Sequence, residues 1–314
     1  TETNDVAGYF DVDPDDTGIN CRREIIETLE SMNFEIEASH HEVAEGQHEI
    51  NFKYADALVA ADNTVTFKWV VRSIAAKHGF HATFMPKPLY EEPGNGMHFH
   101  IQLRKDGRNI FYRKGSYADL SDEALCFIGG ILKHGRSLAA FTNPSTNSYK
   151  RLLPGFEAPV KLFFGLANRS AAIRIPKYAT SEDAKRIEFR TGDGTCNYYL
   201  AMSALLMAGL DGIRNKILPT PENGLGPFDD NVDLWSEADK ARLVSVPASL
   251  EESLDALREA AEVALDVEHD LEESLAILER LYRKAGAMWV QEEQHAGDRT
   301  PAEAADWAEE RAGV

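Results

Sequence analysis

Residues 186–190, Arg186-Ile187-Glu188-Phe189-Arg190, alternate charged and apolar side chains. In a strand, side chains two apart share a face at roughly 7 Å. Glu188 and Arg190 would then stand together while Ile187 and Phe189 point into a core. A carboxylate can hold a hard cation. A guanidinium is always protonated and carries a rigid fork of donors suited to phosphate or carboxylate. The stretch 143–190 that ends here also contains Arg151, Arg169, Arg174, Arg186 and Glu157. The chain as a whole has 33 Lys and Arg against 52 Asp and Glu, a formal net charge of −19, so this arginine-rich run stands out from its acidic surroundings. The plain alternative is a surface strand whose charges are merely solvated.

A second pair of carboxylates lies earlier. Phe34, Ile36 and Ala38 alternate with Glu35 and Glu37, Glu45-Gly46 interrupts, and Ile50 and Phe52 resume the alternation. A hairpin there would bring Glu42 and Glu49 together, and two close carboxylates repel unless a cation lies between them. Magnesium or manganese suits such oxygen ligands; the alternative is a solvated hairpin tip. A third feature is Met97-His98-Phe99-His100-Ile101-Gln102-Leu103, with His98, His100 and Gln102 on one strand face. The preceding loop contains Pro93, Gly94 and Gly96, so its backbone can approach a ligand closely. The two histidines could ligate a metal, contact a nucleotide, or be structural.

The elements that must position these groups read as mixed α/β. Helical spacing covers residues 21–32 and 55–78, the latter ending at Gly79. Residues 81–87 read as a short buried strand. Asp106-Gly107 marks a tight turn. Ser121 is a good N-cap for a helix running to about Phe141, in which Gly129-Gly130 allows close packing. Residues 197–216 form a buried helix, and 219–227 is a proline- and glycine-rich linker. From Leu250 onward the sequence is helical and acidic, and Thr300-Pro301-Ala302-Glu303 starts a further helix. The 314 residues suffice for one large domain or two. No apolar run is long enough to span a bilayer and no secretory signal is visible, so a cytoplasmic protein is expected. Cys21, Cys126 and Cys196 lack CxxC spacing and are expected as reduced thiols. The strong negative charge argues against nucleic acid or an anionic membrane as partner.

Several of these segments together resemble type I glutamine synthetases. Residues 147–159, NSYKRLLPGFEAP, are similar to that family's glutamate-flap segment, and 168–176, NRSAAIRIP, to its phosphate-binding arginine segment. TFMPKP at 83–88, GNGMH at 94–98, EVAEGQHE at 42–49 and GLDGI at 209–213 fit the same family in the same order. The resemblance covers roughly residues 8–220. It implies an α/β catalytic domain with a curved antiparallel sheet backed by helices: residues 1–220 as its core, 221–314 as a helical region completing or appended to it. It implies ATP-dependent ligation of glutamate and ammonia through γ-glutamyl phosphate, with two or more Mg²⁺ or Mn²⁺ ions per site.

By resemblance, Glu42 and Glu49 are ligands of one metal, and His98 and Glu188 of a second. Gly94, Arg151 and Arg190 hold glutamate. His100, Arg169, Arg174 and Arg186 contact the nucleotide or the transferred phosphate. Glu157 shields the intermediate and helps accept a proton from ammonium; Glu157 and Arg169 are the catalytic pair. The resemblance also implies a homo-oligomer, a dodecamer of two hexameric rings in the family. It further implies a β-grasp domain and two additional metal glutamates ahead of the point corresponding to Thr1, outside this sequence. Residues 1–314 alone are therefore expected to make little glutamine. Pro93, and GDGTCNYY at 192–199, depart from the family pattern. They keep open a γ-glutamyl ligase acting on another amine, and the missing region keeps open a truncated, non-catalytic subunit.

Overall fold

The computed structural model describes residues 2–156 and 158–265. The expected helix at 21–32 is α1, Ile19–Ser31. Strands β1 (Ile36–His41) and β2 (His48–Phe52) form an antiparallel hairpin with His40 opposite Glu49. Helix α2, Ala57–Lys77, packs on α1. Cys21, Ile25 and Leu29 from α1 meet Val70 and Ile74 from α2, with Phe34 beside them and Ile36, Ile50 and Phe52 of the hairpin against the cluster. Apolar positions at helical spacing on both helices thus fix where the hairpin sits.

Strand β3 is Phe99–Ile101, and a small ladder of β4 (Arg104–Lys105) and β5 (Arg108–Asn109) turns at Asp106-Gly107. Helices α3 (Asp122–Lys133), α4 (Gly135–Thr142) and the short α5 (Ser148–Arg151) follow. Ser121 caps α3 by accepting from the Ala124 N–H at 3.1 Å. The sheet strands β6 (Lys161–Leu166), β7 (Ala171–Ile175) and β8 (Ile187–Phe189) lead into α6 (Tyr198–Arg214), then α7 (Glu237–Lys240) and α8 (Leu250–Leu265). Asn197 caps α6 through its side-chain oxygen. Gly130 of α3 and Gly212 of α6 meet so closely that a Cβ on Gly130 would lie 2.1 Å from the Ala208 carbonyl oxygen. The main sheet has the order β3-β8-β7-β6. Ile187 and Phe189 are fully buried in its core beside Phe127, Phe164 and Ile173. Such side chains each contribute about 1.5–3 kcal/mol by burial.

Three sequence expectations change, and one alternative reading is removed. The antiparallel sheet holds for β3–β8 and β8–β7, but β6–β7 runs parallel; apolar patterning carries no strand direction. The helix expected over 121–141 breaks at His134, which hydrogen-bonds Asp211 of α6 at 2.8 Å, and resumes as α4. Residues 81–87 form no strand. Pro86 and Pro88 lack N–H groups, and backbone groups of the segment bond to other segments instead of a ladder: the Pro86 carbonyl accepts the Asn95 N–H, and the Lys87 N–H donates to Asn147. Strand β8, with Glu188 itself 1% exposed, is a buried central strand and not a solvated surface one. The three cysteines are buried and free. Among the described residues no helix is long and apolar enough to cross a membrane. The helix start at Thr300 lies outside the described residues.

Candidate active site

The centre of the site is Glu188. Sheet register places His100 of β3 and Arg174 of β7 directly opposite it on either side. Its carboxylate accepts from Arg190 at 2.8 Å, meets His98 Nδ1 at 3.0 Å and accepts from Arg174 Nε. Burial pushes Glu188 up, but His98, Arg174 and Arg190 outweigh it and hold the carboxyl well below its usual range. Burial pushes His98 down despite Glu188. The consistent state is an ionised Glu188 accepting the Nδ1–H of a neutral His98, which leaves the Nε2 lone pair for a ligand. Arg190 is 7% exposed, and its Nε is buried without a partner among the described residues. Such an orphaned donor in native protein calls for an absent acceptor.

On the next strand positions, Arg186 donates Nε–H to His100 Nδ1 at 3.2 Å and one terminal nitrogen to the Tyr178 hydroxyl at 3.2 Å. Its guanidinium also lies 5.3 Å from the Tyr178 ring centroid. Burial, opposed by Glu188 and reinforced by Arg186, pushes His100 down to about 4, so this imidazole is neutral near pH 7. Arg151, at the end of α5, is buried and donates to the carbonyls of Thr191 at 2.9 Å, Gly192 at 3.2 Å and Arg190 at 3.3 Å. Burial pushes it down to about 10. Gly94 and Gly96 lie against it, and a Cβ on Gly94 would come 2.2 Å from the Pro86 carbonyl oxygen, so only glycine permits this approach at 94. Arg169 is exposed on the wall. Glu157 lies outside the described residues.

The hairpin brings Glu42 and Glu49 together as expected. One donor atom each from His40, Glu42 and Glu49 lies within 4.8 Å of the others. His40, which sequence reasoning passed over, hydrogen-bonds Glu42 at 2.9 Å. Behind the hairpin, Asp5, Asp16, His41 and His48 form a similar group. Here Arg22 sits between Asp16 and His48 Nδ1, each at 2.8 Å, and His41 joins Asp5 at 3.0 Å to the Glu42 carbonyl at 2.7 Å. These contacts brace the hairpin from behind. The described residues predicted for the site, Glu42, Glu49, Gly94, His98, His100, Arg151, Arg169, Arg174, Arg186, Glu188 and Arg190, all line one cleft of about 1740 Å³.

Sheet, hairpin and cleft thus gather carboxylates, imidazoles and guanidiniums around one cavity. A scan of protein families matches residues 1–274 to the family described as glutamine synthetase, catalytic domain. Curated relatives include glutamine synthetases of Thermus thermophilus, 51% identical over 260 residues, and Methanosarcina mazei, 49% identical over 262; each alignment covers 82% of this chain and 57% of the relative. The chain thus spans little more than half the length of these relatives. Among solved structures, a Plasmodium falciparum glutamine synthetase superposes with TM-score 0.73 at 34% identity, covering 90% of this chain and 62% of that one. A structure described as a GmaS/ADP complex gives TM-score 0.74 at 32% identity, covering 99% and 68%. The chain belongs to the glutamine synthetase catalytic-domain family. Its match extends to residue 274, beyond residue 220, where the recognisable motifs end.

Proposed function

We propose that this chain carries the catalytic machinery of a glutamate–ammonia ligase that consumes ATP. The observation that carries the reading is the buried Glu188 set between Arg174, Arg190 and His98, with the Arg190 Nε orphaned beside it. The donor sets suit divalent ions: two carboxylates and an imidazole in one group (Glu42, Glu49 and His40), one carboxylate and one imidazole in the other (Glu188 and His98). Bound Mg²⁺ or Mn²⁺ would supply electrostatic neutralisation of the phosphates. Arg190, with Arg151 and the Gly94 backbone, holds the carboxylates of glutamate. Arg169, Arg174 and Arg186 offset the negative charge of the transferred phosphoryl group, and neutral His100 contacts the nucleotide, in keeping with the ADP complex of the structural relative.

In the reaction, the γ-carboxylate oxygen of glutamate attacks the γ-phosphorus of ATP and ADP leaves. Ammonia then attacks the γ-carbonyl carbon, phosphate departs, and the proton lost by nitrogen passes to Glu157. Arginine forks and fixed dipoles lower such barriers because their charge is already in place when charge develops. The same reading takes residues 1–220 as the core, with 221–314 completing or appended to it, in a cytoplasmic homo-oligomer. The test is glutamine formation by the full polypeptide that carries this sequence, with ATP, glutamate and either ammonia or methylamine. Glutamine with ammonia as the preferred amine is expected. Preference for methylamine would make the protein a γ-glutamyl ligase of a different amine, and no product with either would overturn the reading.

A further inference from the structure

Gln47 sits at the turn of the β1–β2 hairpin, between Glu42 and Glu49, yet its side chain reaches away from the hairpin. Its amide nitrogen donates to the Gly94 carbonyl at 3.1 Å and to Asn95 Oδ1 at 2.9 Å. Its amide oxygen accepts from the Ala44 N–H at 3.2 Å, and its backbone carbonyl accepts the Glu42 N–H at 2.7 Å. The amide nitrogen is therefore engaged by the glycine loop and the amide oxygen by the hairpin.

The loop end of this link is rigid. Asn95 donates its own N–H to the Pro86 carbonyl at 2.8 Å and its side-chain amide to the Met85 carbonyl at 2.9 Å. A Cβ on Gly94 would lie 2.2 Å from the Pro86 oxygen and 3.0 Å from Arg151 Cγ, so the loop is clamped between residue 86 and the Arg151 side chain. Four residues after Gly94, the chain delivers His98 to Glu188. The hairpin end is held equally firmly through Asp5, which accepts from the Gly46 N–H at 2.9 Å. A shift of the hairpin tip must therefore move Gly94, and the reverse.

We infer that Gln47 couples the two ligand sites: it is a positioning residue through which occupation of the Glu42–Glu49 site by a divalent cation and seating of the amino-acid substrate on the Gly94–Arg151 side assist one another. This rests on the reading of the site proposed above. Coupling between sites is reciprocal, and factors of about 5–150 are typical. Two substitutions separate the link from mere shape. Gln47→Met keeps the length and removes the donors. Gln47→Glu keeps the outline and sets an acceptor against the Gly94 and Asn95 oxygens.

The experiment is calorimetric titration of Mn²⁺ into the full polypeptide, without and with saturating glutamate, for the parent and both variants, alongside thermal unfolding of each. In the parent, glutamate tightens Mn²⁺ binding at least about fivefold. In Gln47→Met the factor falls below about 2, while Mn²⁺ binding without glutamate changes less than about threefold; in Gln47→Glu the factor is lost or inverted. A parent-sized factor in Gln47→Met overturns the inference, as does a parent that binds both ligands independently. Loss of Mn²⁺ binding without glutamate, or unfolding of both variants, makes Gln47 a structural brace and equally overturns it. A parent that binds neither Mn²⁺ nor glutamate refutes the underlying reading of the site as well.

Discussion

Glu188→Gln is the substitution with the clearest physical consequence. The side chain keeps its volume and loses its charge at a position 1% exposed. Arg190, 7% exposed, and Arg174 then face a neutral amide that can accept from only one of them with good geometry. Breaking a buried ion pair from one side costs about 3–5 kcal/mol. The Arg174 and His98 side chains retain 21% and 29% exposure, so water recovers part of this loss and the low end applies, about 3 kcal/mol. At about 2–4 °C per kcal/mol for a chain of this size, Tm should fall roughly 6–12 °C. Because the folded state holds the Glu188 pKa below its ordinary 4.5, the contribution is complete above that value and is lost as pH falls toward the lower folded-state pKa. Parent and variant curves therefore converge below about pH 4.5 and separate fully at neutral pH. Calorimetry and urea unfolding in EDTA read this directly, with exposed Glu182→Gln as a control expected within about 0.5 kcal/mol. A loss under 1 kcal/mol at pH 7 with an unchanged denaturant slope would refute the assignment of Glu188 as the paired centre of the cluster.

Other substitutions test other parts. Arg190→Lys keeps the charge and loses the fork; glutamate Kd by calorimetry should rise about tenfold or more, and parental affinity would move the clamp elsewhere. Glu42→Gln should weaken Mn²⁺ binding in the same assay by a similar factor, an unchanged titration removing it from the metal set. Gly130→Ala places a methyl 2.1 Å from the Ala208 carbonyl oxygen and should cost about 1–3 kcal/mol in urea unfolding; a neutral result would mean that α3 and α6 can separate freely. The thiols of Cys21, Cys126 and Cys196 are buried and pushed up by burial, so iodoacetamide at pH 8 should modify none of them in the folded protein and all three in urea, by mass spectrometry.

Part of the site was legible because its chemistry is tied to periodicity, while the roles of Gly94, Arg151, Arg169, Arg174, Arg186 and Glu157 came only from the family resemblance. The two-residue repeat put Glu188 and Arg190 side by side, and the interruption at Glu45-Gly46 returned Glu49 to Glu42. What the pattern could not carry was partnership. That Arg151 donates to the Thr191 and Gly192 carbonyls, or that Arg186 leans on Tyr178, depends on chain segments brought together only by the fold. Gln47 lies in the segment 42–49 that carries part of the resemblance, yet its partners left no signal, since a neutral amide at a turn reads as solvent-facing. The same limit explains the fold differences. Helical spacing ran through His134 because the contact that breaks the helix, with Asp211, lies far away in sequence. The direction of β6 against β7 was equally invisible, since a buried apolar strand reads alike either way.

In the proposed reaction glutamate is activated by phosphorylation before an amine attacks it, and isotope transfer reads that step. The full polypeptide is supplied with ATP, ammonia and glutamate carrying ¹⁸O in the γ-carboxylate, and the released phosphate is examined by mass spectrometry. A carboxylate oxygen that attacks phosphorus stays with the phosphate when ammonia displaces it. The account therefore predicts one ¹⁸O in each phosphate formed with glutamine. Glutamine accompanied by unlabelled phosphate would contradict it.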